Sequence, residues 1–183
     1  MKNITSKIYL VFLLSMICVG ISCKKEKEGV EALPKETQEG KNKIGCLVNG
    51  KVLLPRKEAI STVRLFNAYY YPLDGKFYFH ISMVDSKHPG LRSLVFNSVG
   101  DEISEGTYDL TSDEAIGISV IYTSTDNHGN STKYTIRGNN TGRMVITKLD
   151  LVNMILSGTF SFDAESEDGQ KIQVREGRFD MKI

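Results

Sequence analysis

The chain has 183 residues, 40% of them hydrophobic and 25% charged, with a formal net charge of +1. This length predicts one domain with appendages. With this balanced charge no basic face is expected, so no nucleic-acid partner is expected.

The first predicted element is a short apolar run after a basic start. Lys2 and Lys7 precede "IYLVFLLSMICVGIS". This run has about 15 residues, fewer than the roughly 20 that a membrane-spanning helix needs. A basic start, a short apolar core and small residues at its end are typical of a secretory signal peptide. Residues 1–22 are therefore interpreted as a signal peptide.

The residues around Cys23 resemble the processing box of bacterial lipoprotein precursors. Gly20, Ile21 and Ser22 precede Cys23; the small Ser22 fits that box, whereas Gly20 replaces the usual leucine-like residue. The resemblance implies cleavage between Ser22 and Cys23, with lipid on the sulfur and on the new amino group of Cys23. Several acyl chains anchor a domain firmly, because one chain binds only marginally. The alternative is a simple signal peptide whose cleavage leaves a free Cys23.

Residues 23–43 are predicted to be a lipidated cysteine followed by a disordered tether. The stretch "KKEKEGVEALPKETQEGKNK" is rich in Lys and Glu and has no aromatic residue, a composition that favours disorder. Such a tether spans about 25 Å. Its charges partly resemble the surface-export signals of some Bacteroidota lipoproteins. An outer-membrane location is expected, and the choice between the periplasmic and the cell-surface face stays open.

Residues 44–183 show the pattern of a β domain. Phe77, Phe79 and Ile81 alternate with polar or amphipathic residues, which is the period of a half-buried strand. Asn49-Gly50 and the Asp74-Gly75 pair are hairpin signals. Similar runs recur to the end of the chain: "IGCLV", "KVLLP", "TVRLFNAYYY", "KFYFHISMV", "LRSLVFNSV", "GTYDL", "IGISVIYTS", "TKYTIRG", "GRMVITKLD", "NMILSGTFSFDAE" and "QKIQVREGRFDMKI".

These runs predict an all-β fold. Short strands at this spacing indicate a single antiparallel β-sandwich of about eight to ten strands. The alternative is a lipocalin-like β-barrel with a central cavity. Gly158 and Gly177 are predicted to lie at bulges or bends within strands. Cys46 alternates with apolar neighbours and is predicted to be a small buried side chain, and no disulfide framework is expected.

The stretch "AYYYP" supplies the candidate ligand contacts. Strand alternation would expose either Tyr70 or the pair Tyr69 and Tyr71. Exposed aromatic rings suit the binding of a sugar, a peptide or a protein. The alternative is that tyrosine is merely favoured in a strand beside a hairpin.

No motif for catalysis or for a cofactor is recognised in the sequence. There is no Gly-x-Ser-x-Gly elbow and no glycine-rich phosphate loop. His80, His88 and His128 lack the spacing of a zinc site. The acidic stretch "DAESEDG", which begins at Asp163, does not fit the spacing of a calcium loop. No catalytic residue, metal or cofactor is therefore assigned.

Most of residues 44–183 resembles an uncharacterised family of Bacteroidota lipoproteins. The residues that carry the resemblance are "VNG" at 48–50 with Pro55, "GTYDL" at 106–110, and the stretch from 146 to the end. In that stretch Ser-Gly-Thr-Phe-x-Phe at 157–162 is followed by Glu-Gly-x-Phe at 176–179. The resemblance implies an all-β domain on a lipid anchor and assigns no activity.

Together these observations favour a lipid-anchored envelope protein that binds a glycan or a protein partner without catalysis. One alternative is an accessory subunit docked to another envelope protein. The other is a hydrolase that acts on glycan or lipid.

Overall fold

The computed structural model describes residues 28–57, 62, 64–87 and 90–183. In this part of the chain the regular structure is one short 3-10 helix, Gly29–Ala32, and eleven strands. The strands are β1 Lys43–Val48, β2 Lys51–Leu53, β3 Phe66–Leu73, β4 Lys76–Asp85, β5 Arg92–Gly100, β6 Gly106–Thr111, β7 Ile118–Thr125, β8 Ser131–Thr135, β9 Gly142–Asp150, β10 Ile155–Glu165 and β11 Lys171–Lys182.

All eleven strands belong to one sheet, which confirms the all-β prediction. Their order is β2-β1-β11-β10-β9-β6-β7-β5-β4-β3, and β8 pairs with β7 and β10. There are eleven strands rather than eight to ten because each apolar run, even the short β2 and β8, forms its own strand.

One pair of strands departs from the predicted antiparallel arrangement. β6 and β7 run parallel through Leu110↔Ile118 and Thr111↔Ser119. The loop 112–117 moves the chain sideways by one strand without reversing its direction. The pair overlaps only at the end of β6 and the start of β7, so no long crossover is needed.

The two predicted hairpin turns are confirmed. Asn49 and Gly50 have φ values of 49° and 76°, and Asp74 and Gly75 have values of 51° and 75°. Positive φ at both central residues matches the twist of the flanking strands, and Asn, Asp and Gly tolerate this conformation best.

The sheet folds over a single hydrophobic core. The ring of Phe96 on β5 lies 4.8 Å from that of Phe160 and 6.3 Å from that of Phe162, both on β10. Three strands separate β5 from β10 in the sheet order, so these rings meet across the core. Cys46 is fully buried, as its neighbours predicted, and burial raises the pKa of its thiol to about 12 although Arg92 opposes the shift.

A buried ion cluster joins the segment after β2 to the end of β4. Asp85 is fully buried, and its Oδ2 lies 2.6 Å from Arg56 Nη2 and 2.5 Å from Arg92 Nη2. Burial would raise the pKa of Asp85, but hydrogen bonds and charge from the two arginines outweigh burial and lower it. Arg56 and Asp85 also form an isolated parallel bridge, so the cluster ties the start of the sheet to its other end.

The segment before β1 lies against the sheet. Asp180 on β11 is 2% exposed. Its carboxylate accepts hydrogen bonds from Thr37 Oγ1, Ser157 Oγ and the N–H groups of Gly40 and Lys41. The sequence predicts a disordered tether up to residue 43, whereas this part of it is docked. Composition indicates how much apolar surface a segment can bury. It does not show that the backbone N–H groups of the segment can form hydrogen bonds with a carboxylate far away in the sequence.

Candidate ligand-binding face

The strand register decides which of the three adjacent tyrosines face solvent. Tyr70 is 7% exposed and its ring stacks on Phe77 in the core. Its hydroxyl accepts a hydrogen bond from the N–H of Ile103 and donates one to the carbonyl of the same residue. Because neighbours in a strand point to opposite faces, Tyr69 and Tyr71 lie on the outer face. Tyr70 is thus a core residue, and the Tyr69–Tyr71 pair is the exposed alternative.

Four rings form a ladder on the outside of β3 and β4, here called the aromatic face: Tyr69, Tyr71, Tyr78 and His80. Tyr69 pairs with His80 at 4.7 Å and 11° between ring planes. Tyr71 pairs with Tyr78 at 5.4 Å and 10°. The ring centres of Tyr69 and Tyr71 are 5.4 Å apart. Tyr71 lies at the solvent-exposed end of the ladder and is 42% exposed.

Polar neighbours hold the His80 ring in position. Its Nδ1 lies 2.7 Å from Asn97 Oδ1 and its Nε2 lies 2.9 Å from Ser82 Oγ. With Nδ1 donating to Asn97, Nε2 accepts from the Ser82 hydroxyl. Both nitrogens are satisfied, so the ring is fixed parallel to Tyr69.

The tyrosine hydroxyls of the face are available as donors. The described residues give no hydrogen-bond partner to the hydroxyls of Tyr69, Tyr71 or Tyr78. Burial, followed by the neighbouring Tyr71 and Glu114, raises the pKa of Tyr69 above its ordinary value. This phenol therefore keeps its proton at neutral pH and can donate to a ligand.

A concavity of about 650 Å³ is lined by residues of β6, β9, β10 and β11 and of the loop before β9. Its lining is polar, but two of its charges are paired with each other: Arg175 Nη2 lies 2.6 Å from Asp163 Oδ1. Arg175 Nη1 also donates to the carbonyls of Phe162 and Val174. Because Arg175 and Asp163 in this concavity bind each other or the backbone, they are less available to a ligand. The aromatic face is therefore the stronger candidate site.

The residues assigned no metal or catalytic role are distributed as follows. His80 lies on the aromatic face. His128 lies in the turn of residues 126–130, and its backbone N–H donates a hydrogen bond to the Asp126 carboxylate. Asp163 pairs with Arg175 rather than with other acidic side chains. Across residues 28–57, 62, 64–87 and 90–183, no group of three His, Cys, Asp or Glu side chains is placed to hold a metal ion.

The residues predicted to be processed and lipidated, Ser22 and Cys23, lie outside the described residues, as do the rest of the predicted signal peptide and His88. Among the residues that the structure describes, no helix is long and apolar enough to cross a membrane.

The fold and the candidate site define a β-sheet domain that presents an aromatic surface to solvent. Residues 90–181, about half of the 183, match the family described as "Domain of unknown function (DUF6252)", and the chain belongs to this family. The comparisons with curated proteins and with solved structures gave no match. The family carries no assigned activity, so function is argued from the site. The Bacteroidota lipoprotein origin and the C-terminal signature stay predictions.

Proposed function

We propose that this protein is a non-catalytic glycan-binding module, held at an outer membrane by acyl chains on Cys23. The observation that carries the binding proposal is the aromatic face, in which four side chains stack as a ladder on the solvent side of a continuous sheet. The membrane proposal is carried separately by the sequence around Cys23.

The chemistry of the face matches that of a sugar. A pyranose ring has apolar C–H surfaces, which pack on the faces of aromatic rings, and hydroxyl edges, which need donors and acceptors. The rings of Tyr71 and Tyr78 can pack against the C–H surfaces of a sugar. The hydroxyls of the tyrosines and the Asn97 amide, held beside His80, can form hydrogen bonds with its hydroxyl groups. An amphipathic ring with a polar tip is well suited to this combination.

The face is fixed before a ligand arrives. Tyr69, Tyr71, Tyr78 and His80 are cross-strand neighbours in an eight-residue pairing of β3 with β4. Side chains that are already ordered lose little conformational entropy on binding, which raises affinity for a given contact area. The surface is open rather than deep, so it suits a chain that is bound along its length.

The binding test compares the affinity of the unchanged protein for polysaccharides with that of variants that lack one aromatic ring. We expect the protein to bind at least one member of a panel of soluble polysaccharides in isothermal titration calorimetry. Tyr71→Ala and Tyr78→Ala should each weaken that binding about tenfold, because each removes a stacking ring worth about 1.4 kcal/mol. The thermal unfolding midpoint should change little for the exposed Tyr71.

The matched control is Ile116→Ala. This apolar side chain is 78% exposed and does not belong to the aromatic face, so its removal should leave binding unchanged. A panel with no binding polysaccharide, or tyrosine variants that bind as the unchanged protein does, would contradict the glycan proposal.

The anchor has its own test, which does not depend on the ligand. The N-terminal peptide of protein extracted from membranes should begin at Cys23 and carry the mass of several acyl chains. Cys23→Ala should abolish incorporation of a labelled fatty acid. An unmodified Cys23 in the membrane fraction would refute the anchor. Proteinase treatment of intact and lysed cells then separates the cell-surface face from the periplasmic one.

A further inference from the structure

The turn between β9 and β10 is unusually apolar for a hairpin tip. Val152 is 92% exposed, Leu151 51% and Met154 45%. Turns at such positions are usually built from Gly, Asn, Asp, Ser and Pro, because these residues tolerate the backbone and the solvent. Three large apolar side chains within four residues therefore form a small exposed hydrophobic patch, here called the apolar tip.

Hydrogen bonds hold the backbone of the turn in this conformation. Asp150 accepts hydrogen bonds from the backbone N–H of Asn153 at 2.8 Å and from its side-chain amide at 2.9 Å. These two hydrogen bonds lower the pKa of Asp150 to about 2, and the bond from the Asn153 side chain has the larger effect. Met154 has a φ of 57°, which is uncommon for a residue with a large side chain. The Met154 carbonyl accepts from the N–H of Ile183, which fixes this residue to the end of β11.

The apolar tip lies at the end of the sheet where the described chain begins. Lys182 donates from its side chain to the Asn153 carbonyl at 2.6 Å and from its backbone to Asn42 Oδ1 at 2.9 Å. Asn42 and Ala32 line one shared cleft. Lys182 therefore connects the residue before β1 to the turn between β9 and β10.

Little chain separates this end from the proposed anchor. Cys23 precedes Glu28, the first described residue, by five positions, and five extended residues span at most about 18 Å. With lipid on Cys23, the start of the domain lies this close to the bilayer.

Lysines border the tip. Lys182 contacts Asn153, and Lys148 Nζ lies 3.5 Å from Asp150 Oδ2. The apolar side chains of such a tip can enter the acyl boundary of a bilayer, while the ammonium group of Lys182 lies where it can meet an anionic headgroup.

We propose that the apolar tip, Leu151, Val152 and Met154, inserts into the bilayer interface beside the acyl anchor and fixes the orientation of the domain on the membrane. This inference rests on the lipid anchor of the proposed function. With the β9–β10 turn at the membrane, β9, β10 and β11 extend away from it toward the 166–170 turn.

The chain contains no tryptophan, so a single introduced tryptophan reports on one position. Lipidated Val152→Trp protein is reconstituted on phosphatidylcholine–phosphatidylglycerol vesicles, with and without brominated acyl chains. The emission of the introduced residue should shift to shorter wavelength and be quenched by the brominated lipid. The control is Glu167→Trp at the opposite end of β10, where the native side chain is 88% exposed. Its emission should neither shift nor be quenched.

Flotation of the same samples separates the two proposals. If the protein floats with the vesicles but Val152→Trp behaves as Glu167→Trp does, the anchor stands and the docking of the tip is refuted. If the protein does not float, the anchor fails and the docking fails with it. Circular dichroism of both variants establishes that each is folded before its emission is compared.

Discussion

Asp180 is the residue on which the docking of the N-terminal segment depends. Its carboxylate accepts hydrogen bonds from two hydroxyls and from backbone N–H groups of residues 39–41. Several charge-assisted bonds on one buried carboxylate hold it ionised and in place. One acidic side chain therefore joins the last strand to a segment about 140 positions earlier in the chain.

Asp180→Asn should destabilise the protein by about 2–4 kcal/mol. An amide offers one acceptor oxygen where the carboxylate offers two, and its NH₂ group would face other donors, so buried N–H groups lose their partner. Urea denaturation of the variant measures the change in the free energy of unfolding.

Asp109→Asn is the matched control for Asp180→Asn. Asp109 lies on the exposed side of β6, so its substitution should change the free energy of unfolding by less than about 0.5 kcal/mol. Equal stabilities for the two variants would show that the hydrogen bonds to the Asp180 carboxylate do not stabilise the fold.

At the scale of the element, Gly158 on β10 and Gly177 on β11 each lie beside an irregularity in the pairing with a neighbouring strand. The register of β10 shifts between Ser157 and Gly158 against β9, and between Phe160 and Phe162 against β11. Glu176 has a φ of 55° at the second irregularity. The sequence-based prediction of bulges near Gly158 and Gly177 is therefore confirmed.

Gly177→Ala should destabilise the protein by about 1–3 kcal/mol, which is the cost of overpacking a filled core. A Cβ atom at Gly177 would clash with the ring of Phe160 and would lie 2.6 Å from its carbonyl oxygen. Phe160 packs against Phe96 and Phe179 and has little room to move. Thermal unfolding followed by circular dichroism provides the measurement.

Gly100→Ala serves as the control for Gly177→Ala. A Cβ atom there would meet no heavy atom within 4 Å, and Gly100 does not have a positive φ. Its effect should lie within about 0.5 kcal/mol. A Gly177→Ala protein as stable as Gly100→Ala would mean that the Phe160 ring relaxes at no cost.

At the scale of the whole molecule, two buried carboxylates close the structure. Asp85 holds the segment after β2 to the end of β4, and Asp180 holds the segment before β1 to the end of β11. Burial opposes ionisation of Asp180, but its hydrogen bonds lower its pKa from 3.8 to about 2, and the pKa of Asp85 is also lowered. The contacts made by Asp85 and by Asp180 should therefore both weaken in acid, when these carboxylates are protonated.

The unchanged protein should lose stability as the pH falls from about 4 to about 2. A carboxyl group whose pKa is lower in the folded state stabilises that state above its unfolded pKa, and this stabilisation disappears as the pH falls through the folded pKa. Urea unfolding at a series of pH values provides the test. The difference in stability between the unchanged protein and Asp180→Asn should narrow over this range, and a constant difference would contradict the assignment.

The sequence by itself determined that the chain is a β protein with hairpin turns at Asn49-Gly50 and Asp74-Gly75. Period-two alternation and the demand for positive φ are local properties, so they are visible in a short stretch of residues. For the same reason the burial of Cys46 was predicted from its neighbours alone.

Only the tertiary structure decided which tyrosines form a surface and where the N-terminal segment lies. Alternation permitted either Tyr70 or the Tyr69–Tyr71 pair to face outward. The pairing of β3 with β4 and the bond from Tyr70 to Ile103 selected the pair. Tyr70 and Ile103 are 33 positions apart, and Asp180 and Gly40 are 140 positions apart. Contacts of this kind exist only after the sheet is ordered, because each needs two segments whose relative positions no local pattern specifies.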